Sequence, residues 1–149
     1  MNKQHYLLLL FGVFGCSSEN STPKEDAPKK EDPTEKYKSM RAEIPANMKA
    51  IKIQQISYMQ DYDVYVSCAA YPSKPSKEPQ TWEKSGSGGF KTIDFTPNGD
   101  VRGSYMVSTS STNFTVIGIS DVDGDGKFAT YIATKTNNPD KPITPPDVY

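Results

Sequence analysis

The run Ile44-Pro45-Ala46-Asn47-Met48-Lys49-Ala50-Ile51-Lys52-Ile53-Gln54-Gln55-Ile56-Ser57-Tyr58-Met59-Gln60-Asp61-Tyr62 decides the fold. Pro45 stands where a first-turn proline is tolerated. At helical periodicity Met48, Ile51, Ile56, Tyr58, Met59 and Tyr62 fall on one stripe together with Ile44, while Lys49, Lys52 and Gln60 lie off it. The spacing predicts an amphipathic helix from Ala46 to about Tyr62 that needs another element to cover its apolar side. Ile53, at the edge of the stripe or beyond it, is a candidate for a second contact.

Beyond the helix the period shortens. Tyr65 to Trp82 contains Pro72, Pro75 and Pro79 and reads as a connection without a regular element. Strand signals follow at Phe90–Phe95, Val101–Ser108, Phe114–Ser120 and Lys127–Thr134. Thr96-Pro97-Asn98-Gly99-Asp100 supplies turn residues between the first two, and Asp121 to Gly126 closes the last two into a hairpin. The tail from Asn137 to Tyr149 holds Pro139, Pro142, Pro145 and Pro146 and reads as irregular. One helix followed by a short meander predicts an α+β fold, with the helix covering one face of a roughly four-stranded antiparallel sheet.

Upstream of the helix the composition changes twice. The apolar run Tyr6 to Phe14 follows a short polar start and is too short to cross a bilayer, which takes roughly 20 helical residues. It ends in Val13-Phe14-Gly15-Cys16, which resembles the lipobox of bacterial lipoproteins, with Phe14 bulkier than usual at its position. Residues 1–15 are thus expected to be a signal peptide, with a diacylglycerol on Cys16 as the membrane anchor, at about 0.8 kcal/mol per buried methylene. Ser17 directly after it resembles the outer-membrane sorting pattern of enteric bacteria. The predicted location is an outer-membrane lipoprotein facing the periplasm or the cell exterior. Residues 16–44 alternate charges of both signs with Pro23, Pro28 and Pro33, and are expected to form a disordered tether. Residues 45–149 are the expected globular domain.

The formal net charge of -1 across 149 residues gives no basic surplus for nucleic acid. His5, the single histidine, falls in the expected signal peptide. A mature chain without imidazole excludes Ser-His and Cys-His nucleophiles and histidine-rich zinc sites. Asp121-Val122-Asp123-Gly124-Asp125-Gly126 is the strongest candidate site. Three carboxylates at alternate positions before a glycine match the first half of a calcium loop, and Phe128 stands at its usual apolar position. The twelfth position is Ile132 instead of glutamate, so further ligands would have to come from a carbonyl, Asp140 or Asp147. The same run also suits an Asp/Gly-rich turn that binds nothing. Cys68, the second of two cysteines, reads as a buried small residue, a reactive thiol or half of an intermolecular disulfide. Ser85-Gly86-Ser87-Gly88-Gly89 reads as a flexible loop, since no Gly-Lys-Ser/Thr follows it. Trp82, Tyr58, Tyr62, Tyr65 and Tyr71 suit packing better than a binding patch.

In order, these features resemble bacterial type IV pilins. Asn47 to Tyr58, continuing through Asp61-Tyr62 and Tyr65, is similar to the C-terminal half of the long pilin helix. Trp82 with Phe90 to Tyr105, then Phe114-Thr115-Val116, the acidic run and Tyr131, resemble the globular head of pilins from gliding and predatory bacteria. The resemblance spans nearly all of residues 46–149 and implies a pilin-like head. The prepilin cleavage site and apolar helix half are replaced by a lipobox and a hydrophilic tether. In the family a second cysteine commonly precedes the acidic loop; Ser120 stands there, leaving Cys68 without that partner. The implied function is a lipid-anchored, non-catalytic binding or adhesion module at the cell surface. Its expected partners are the membrane, through the lipid on Cys16, and pilus or secretion-system proteins. The alternatives are a minor pilin subunit built into filaments, and an envelope enzyme, for which only carboxylates such as Asp121 and Asp125 are at hand.

Overall fold

The computed structural model describes residues 32–149. The signal peptide expected over 1–15, the lipid on Cys16 and the tether up to residue 31 lie outside the described residues. From Pro33 onward the chain forms α1 (Pro33–Arg41), α2 (Glu43–Tyr62), β1 (Cys68–Tyr71), a 3-10 turn (Lys84–Gly86), α3 (Gly89–Thr92), β2 (Ser104–Thr109), β3 (Phe114–Ser120) and β4 (Ala129–Thr134). The fold is α+β, with a helix on one four-stranded antiparallel sheet of order β1-β2-β3-β4.

Of the tether expected over 16–44, residues 33–41 and 43–44 are helical instead. Asp32 caps α1, its Oδ1 accepting the Thr34 N–H at 3.0 Å, and Pro33 follows at the first helical position. Lys38 pairs with Glu35 one turn away at 2.8 Å. The far side of α1 is held by the chain's tail: Tyr37 meets Tyr149 at 5.6 Å between ring centroids, and the Arg41 guanidinium donates to the carbonyls of Pro146 and Val148. A charge-rich stretch with a proline thus carries a complete helix start, and its contacts come from residues a hundred positions away.

α2 follows the expected stripe, fully buried in its first half and half-buried through Ile56, Tyr58 and Met59 in its second, and departs from it at Gln55 and Tyr62. Ile44, Met48 and Ile51 are fully buried, each burial contributing roughly 1.5–3 kcal/mol. The next residue on that line is Gln55, also fully buried, whose amide pairs with both backbone groups of Val66: Nε2 donates to the carbonyl at 2.6 Å and Oε1 accepts the N–H at 3.0 Å. The side chain thereby replaces a missing strand neighbour at the turn after α2. Tyr62, expected on the buried stripe, is 64% exposed, and Ile53 lies in solvent. Asp63 closes the helix in the left-handed region at φ 57, its N–H on the Met59 carbonyl.

The sheet holds four strands, one of them not where the sequence placed it. The expected strand Phe90–Phe95 is the short helix α3, closed by the N–H of Phe90 on Ser87 O and of Ile93 on Gly89 O. Phe90, Ile93 and Phe95 are all buried, a three-then-two spacing that fits one helical turn and an extended exit. The fourth strand is β1, inside the proline-rich connection, paired with β2 through Cys68↔Val107 and Tyr71↔Tyr105 with an irregularity between them. β3 runs from Phe114 to Ser120 as expected, with alternate residues buried, and is paired on both sides. Its Gly118 lies under the helix: a Cβ there would come within 2.6 Å of Met48 Sδ and 2.7 Å of Ile44 Cγ2. Trp82 anchors the other end of the core, edge-on to Tyr71, Phe90 and Phe95 at 4.8, 5.4 and 5.4 Å.

The tail from Asn137 to Tyr149 forms no helix or strand, as expected, but it is docked. Ile143 N–H reaches Thr130 O at 2.8 Å along the free edge of β4, and Lys49 pairs with Asp140 at 3.0 Å. Gly118→Val should therefore lower stability by roughly 1–3 kcal/mol through overpacking, a loss of roughly 5–15 °C in melting midpoint by circular dichroism. An unchanged midpoint would contradict the tight seating of α2 on β3.

Candidate functional site

The acidic run lies between β3 and β4, where the hairpin turns. Gly124 and Gly126 adopt φ 78 and φ 81, which residues with a side chain rarely do. Val122 is fully buried, its N–H on Tyr149 O at 3.3 Å, so the alternate residues Asp121, Asp123 and Asp125 turn to one side. One oxygen from each carboxylate lies within 4.8 Å of the others. That is a spacing at which a hard divalent cation is held by oxygen ligands. The loop also closes on itself: Asp123 Oδ1 accepts the Asp125 N–H at 3.4 Å and Asp125 Oδ1 accepts the Lys127 N–H at 2.8 Å. These bonds from Lys127, backbone first and ammonium second, hold the Asp125 carboxyl below its usual range. Asp121 Oδ1 differs, being buried without a hydrogen-bond partner. The two other carboxylates considered as ligands are not in the cluster; Asp140 is paired with Lys49 instead.

Cys68 is 2% exposed, under Gly89 of α3 and beside Gln55. Burial pushes its thiol up from 9.0 to about 12, which removes the thiolate that a reactive cysteine needs. The register also bears on the pairing implied by the pilin resemblance. Cys68 lies level with Val107 and, across β2, with Val116, whereas Ser120 is four residues further along β3. Two strand spacings and four residues place them roughly 15 Å apart, beyond the reach of about 7 Å for a disulfide. A cysteine at position 120 would not meet Cys68.

The glycine-rich stretch Ser85–Gly89, expected as a flexible loop, is packed: Gly86 lies against Tyr71, and a Cβ on Gly89 would strike Ser67 O and Cys68 Sγ. Of the aromatic residues singled out, Tyr65 and Trp82 are core, and Tyr71 is packed against it. Tyr58 is also packed against the core, and the exposed Tyr62 stacks on it at 4.4 Å.

The sequence reading missed Glu43. Its Oε1 accepts the N–H of Arg102 at 2.7 Å, the N–H of Gly103 at 2.8 Å and the Tyr105 hydroxyl at 3.1 Å, while Asn47 Nδ2 donates to that hydroxyl at 2.9 Å. Burial, with the charge of Glu43 behind it, pushes the Tyr105 phenol far above its ordinary range. No local motif announces such a carboxylate, because its partners are backbone amides some sixty residues away.

No protein-family model, curated protein or solved structure matches the chain. Cys68 should resist iodoacetamide at pH 8 in the folded protein and react once it is denatured. Its proton is lost between 9.0 and about 12 only in the unfolded chain, so stability falls as pH rises through that window. Equal alkylation rates with and without denaturant would contradict the buried position.

Proposed function

We propose that the chain is an exported lipoprotein whose pilin-like head, held by a lipid on Cys16 and a short tether, acts as a non-catalytic binding or adhesion module at the cell surface. The observation that carries the reading is the apolar run Tyr6 to Phe14 ending in Val13-Phe14-Gly15-Cys16. The helix on an antiparallel sheet fits the head that the pilin resemblance implies. α1 adds a further argument. A filament subunit continues its helix toward the N-terminus as an apolar rod, whereas here that continuation is nine residues long and carries Thr34, Glu35, Lys36, Lys38 and Ser39. No described helix is long and apolar enough to cross a membrane. In this reading the lipid holds the protein in the outer membrane, and its partners are pilus or secretion-system components. The acidic loop is the proposed place for a weakly bound calcium, on Asp121, Asp123 and Asp125.

Mass spectrometry of the native protein should find a cleaved chain beginning at a diacylated Cys16, and Cys16→Ala should move the protein from membrane to soluble fractions. An unmodified thiol at position 16 would sink the proposal, and incorporation of the Cys16→Ala protein into filaments would favour a pilin subunit instead. For the loop, millimolar calcium should raise the melting midpoint by several degrees, equivalent to about 1.4 kcal/mol at ten times the dissociation constant. Asp121→Asn should abolish that rise; no calcium response in the unaltered protein would dismiss the metal.

A further inference from the structure

Between α1 and the segment that follows β1 lies a cleft of about 360 Å³, lined by Lys36, Tyr37, Met40, Lys77, Glu78 and Arg102. Three of these six side chains are cations. The ion pairs among the described residues are Lys38–Glu35, Lys49–Asp140, Lys84–Asp94 and Lys127–Asp125, so none of the three has a described carboxylate within pairing distance. Glu78, the one acid in the lining, makes no ion pair with them and leaves the cleft with a surplus of two positive charges.

Arg102 and the backbone of Lys77 are also held in place. The Arg102 N–H is fixed on Glu43 at 2.7 Å, its carbonyl accepts the Ser76 N–H at 2.8 Å, and its Nε donates to the Lys77 carbonyl at 3.1 Å. Gln80 and Val101 exchange backbone hydrogen bonds at 2.7 and 2.9 Å just beside them. The backbone of Lys77 is therefore tied to the Arg102 side chain, and the stem of Lys77 lies over Gly124. Among the described residues the terminal guanidinium nitrogens of Arg102 have no partner. Like charges gathered round a concavity repel one another, and the arrangement is relieved when an anion sits between them. A guanidinium fork beside two ammonium groups suits the oxygens of a phosphate.

We propose that this cleft binds a phosphate group, with Arg102 as the fixed fork and Lys36 and Lys77 as the closing cations. The source is open to two identities with one chemistry: a phospholipid headgroup or a soluble phosphate. The headgroup alternative alone rests on the lipid-anchor reading. α1 begins 17 residues after Cys16, a separation that spans roughly 50 Å at full extension, within which the head can touch the bilayer surface.

The test is a nitrogen-15 NMR titration of the full chain in neutral detergent micelles. One arm adds inorganic phosphate, with sodium chloride of equal ionic strength as control. A second adds short-chain phosphatidylglycerol, with short-chain phosphatidylcholine as control. The proposal requires saturable shifts at the amides of Lys36, Lys77 and Arg102, half-complete near ~1 mM and weakened by added salt. Lys36→Glu with Lys77→Glu should weaken binding at least ~tenfold, because attraction becomes repulsion, while Lys91→Glu, outside the cleft, leaves it unchanged. Saturation with either phosphate source supports the site and identifies the source. A drift that chloride reproduces, or binding indifferent to the double substitution, overturns it. Since the inorganic phosphate arm needs no lipid on Cys16, failure of the anchor reading would leave its result intact.

Discussion

Two side chains of α2, Ile44 and Met48, rest directly on the backbone of Gly118 in the central strand β3. A helix usually stands about 10 Å from a sheet because side chains from both layers fill the gap, and at this crossing the strand contributes none. Gly103 makes the same allowance one strand over, where a Cβ would run into Ile44. The N-terminal half of α2 thus sits low on the sheet, and Glu43 reaches the amides of Arg102 and Gly103. Those two bonds fix the entry to β2, and with it the segment around Ser76 and Lys77 that is bonded to Arg102. Ser76, Lys77, Arg102 and α1 hold their relative positions because α2 can approach so closely.

The elements that were legible in the sequence are the ones whose signal is local and periodic. β3 alternates buried and open residues along its whole length, and the acidic turn between β3 and β4 declares itself by glycine at left-handed positions. α2 follows its stripe as far as Met59. The parts that were not legible depend on distant partners. β1 is four residues with an interrupted register, and it exists because β2 lies beside it. α3 begins after Gly88, and its buried Phe90, Ile93 and Phe95 imitate a strand closely enough to mislead. α1 has polar residues on its open side and needs the tail to hold the other.

The same division runs through the candidate sites. The three aspartates are two residues apart, so their convergence could be anticipated from spacing alone. Glu43, Gln55 and Arg102 act on backbone groups outside their own elements, 59, 11 and 25 residues away, and a carboxylate or amide in a helix looks ordinary until its partners are known. Gln55 illustrates the physical reason. Placed on the apolar line of α2 it would be costly to bury unpaired, and it is accepted because Val66 offers both a donor and an acceptor. Cys68 was legible as a small buried residue, while its distance from position 120 became visible only with the register of β1 to β3.

The placement of α1 has a mechanical consequence. Asp32 opens α1, and α1 stands between that residue and the core. Arg41, almost fully buried, ties α1 to the carbonyls of Pro146 and Val148 and lies over the Tyr149 ring at 4.9 Å. The tail in turn is bonded to Val122 in the acidic turn and to Thr130 on the edge of β4. Tension applied at residue 32 would therefore be shared among α2, the tail and the β3–β4 hairpin, and peeling α1 away requires breaking both charge-assisted bonds of Arg41 together. The proline-rich tail, which has no regular structure of its own, is what joins α1 to the acidic turn and to the edge of β4.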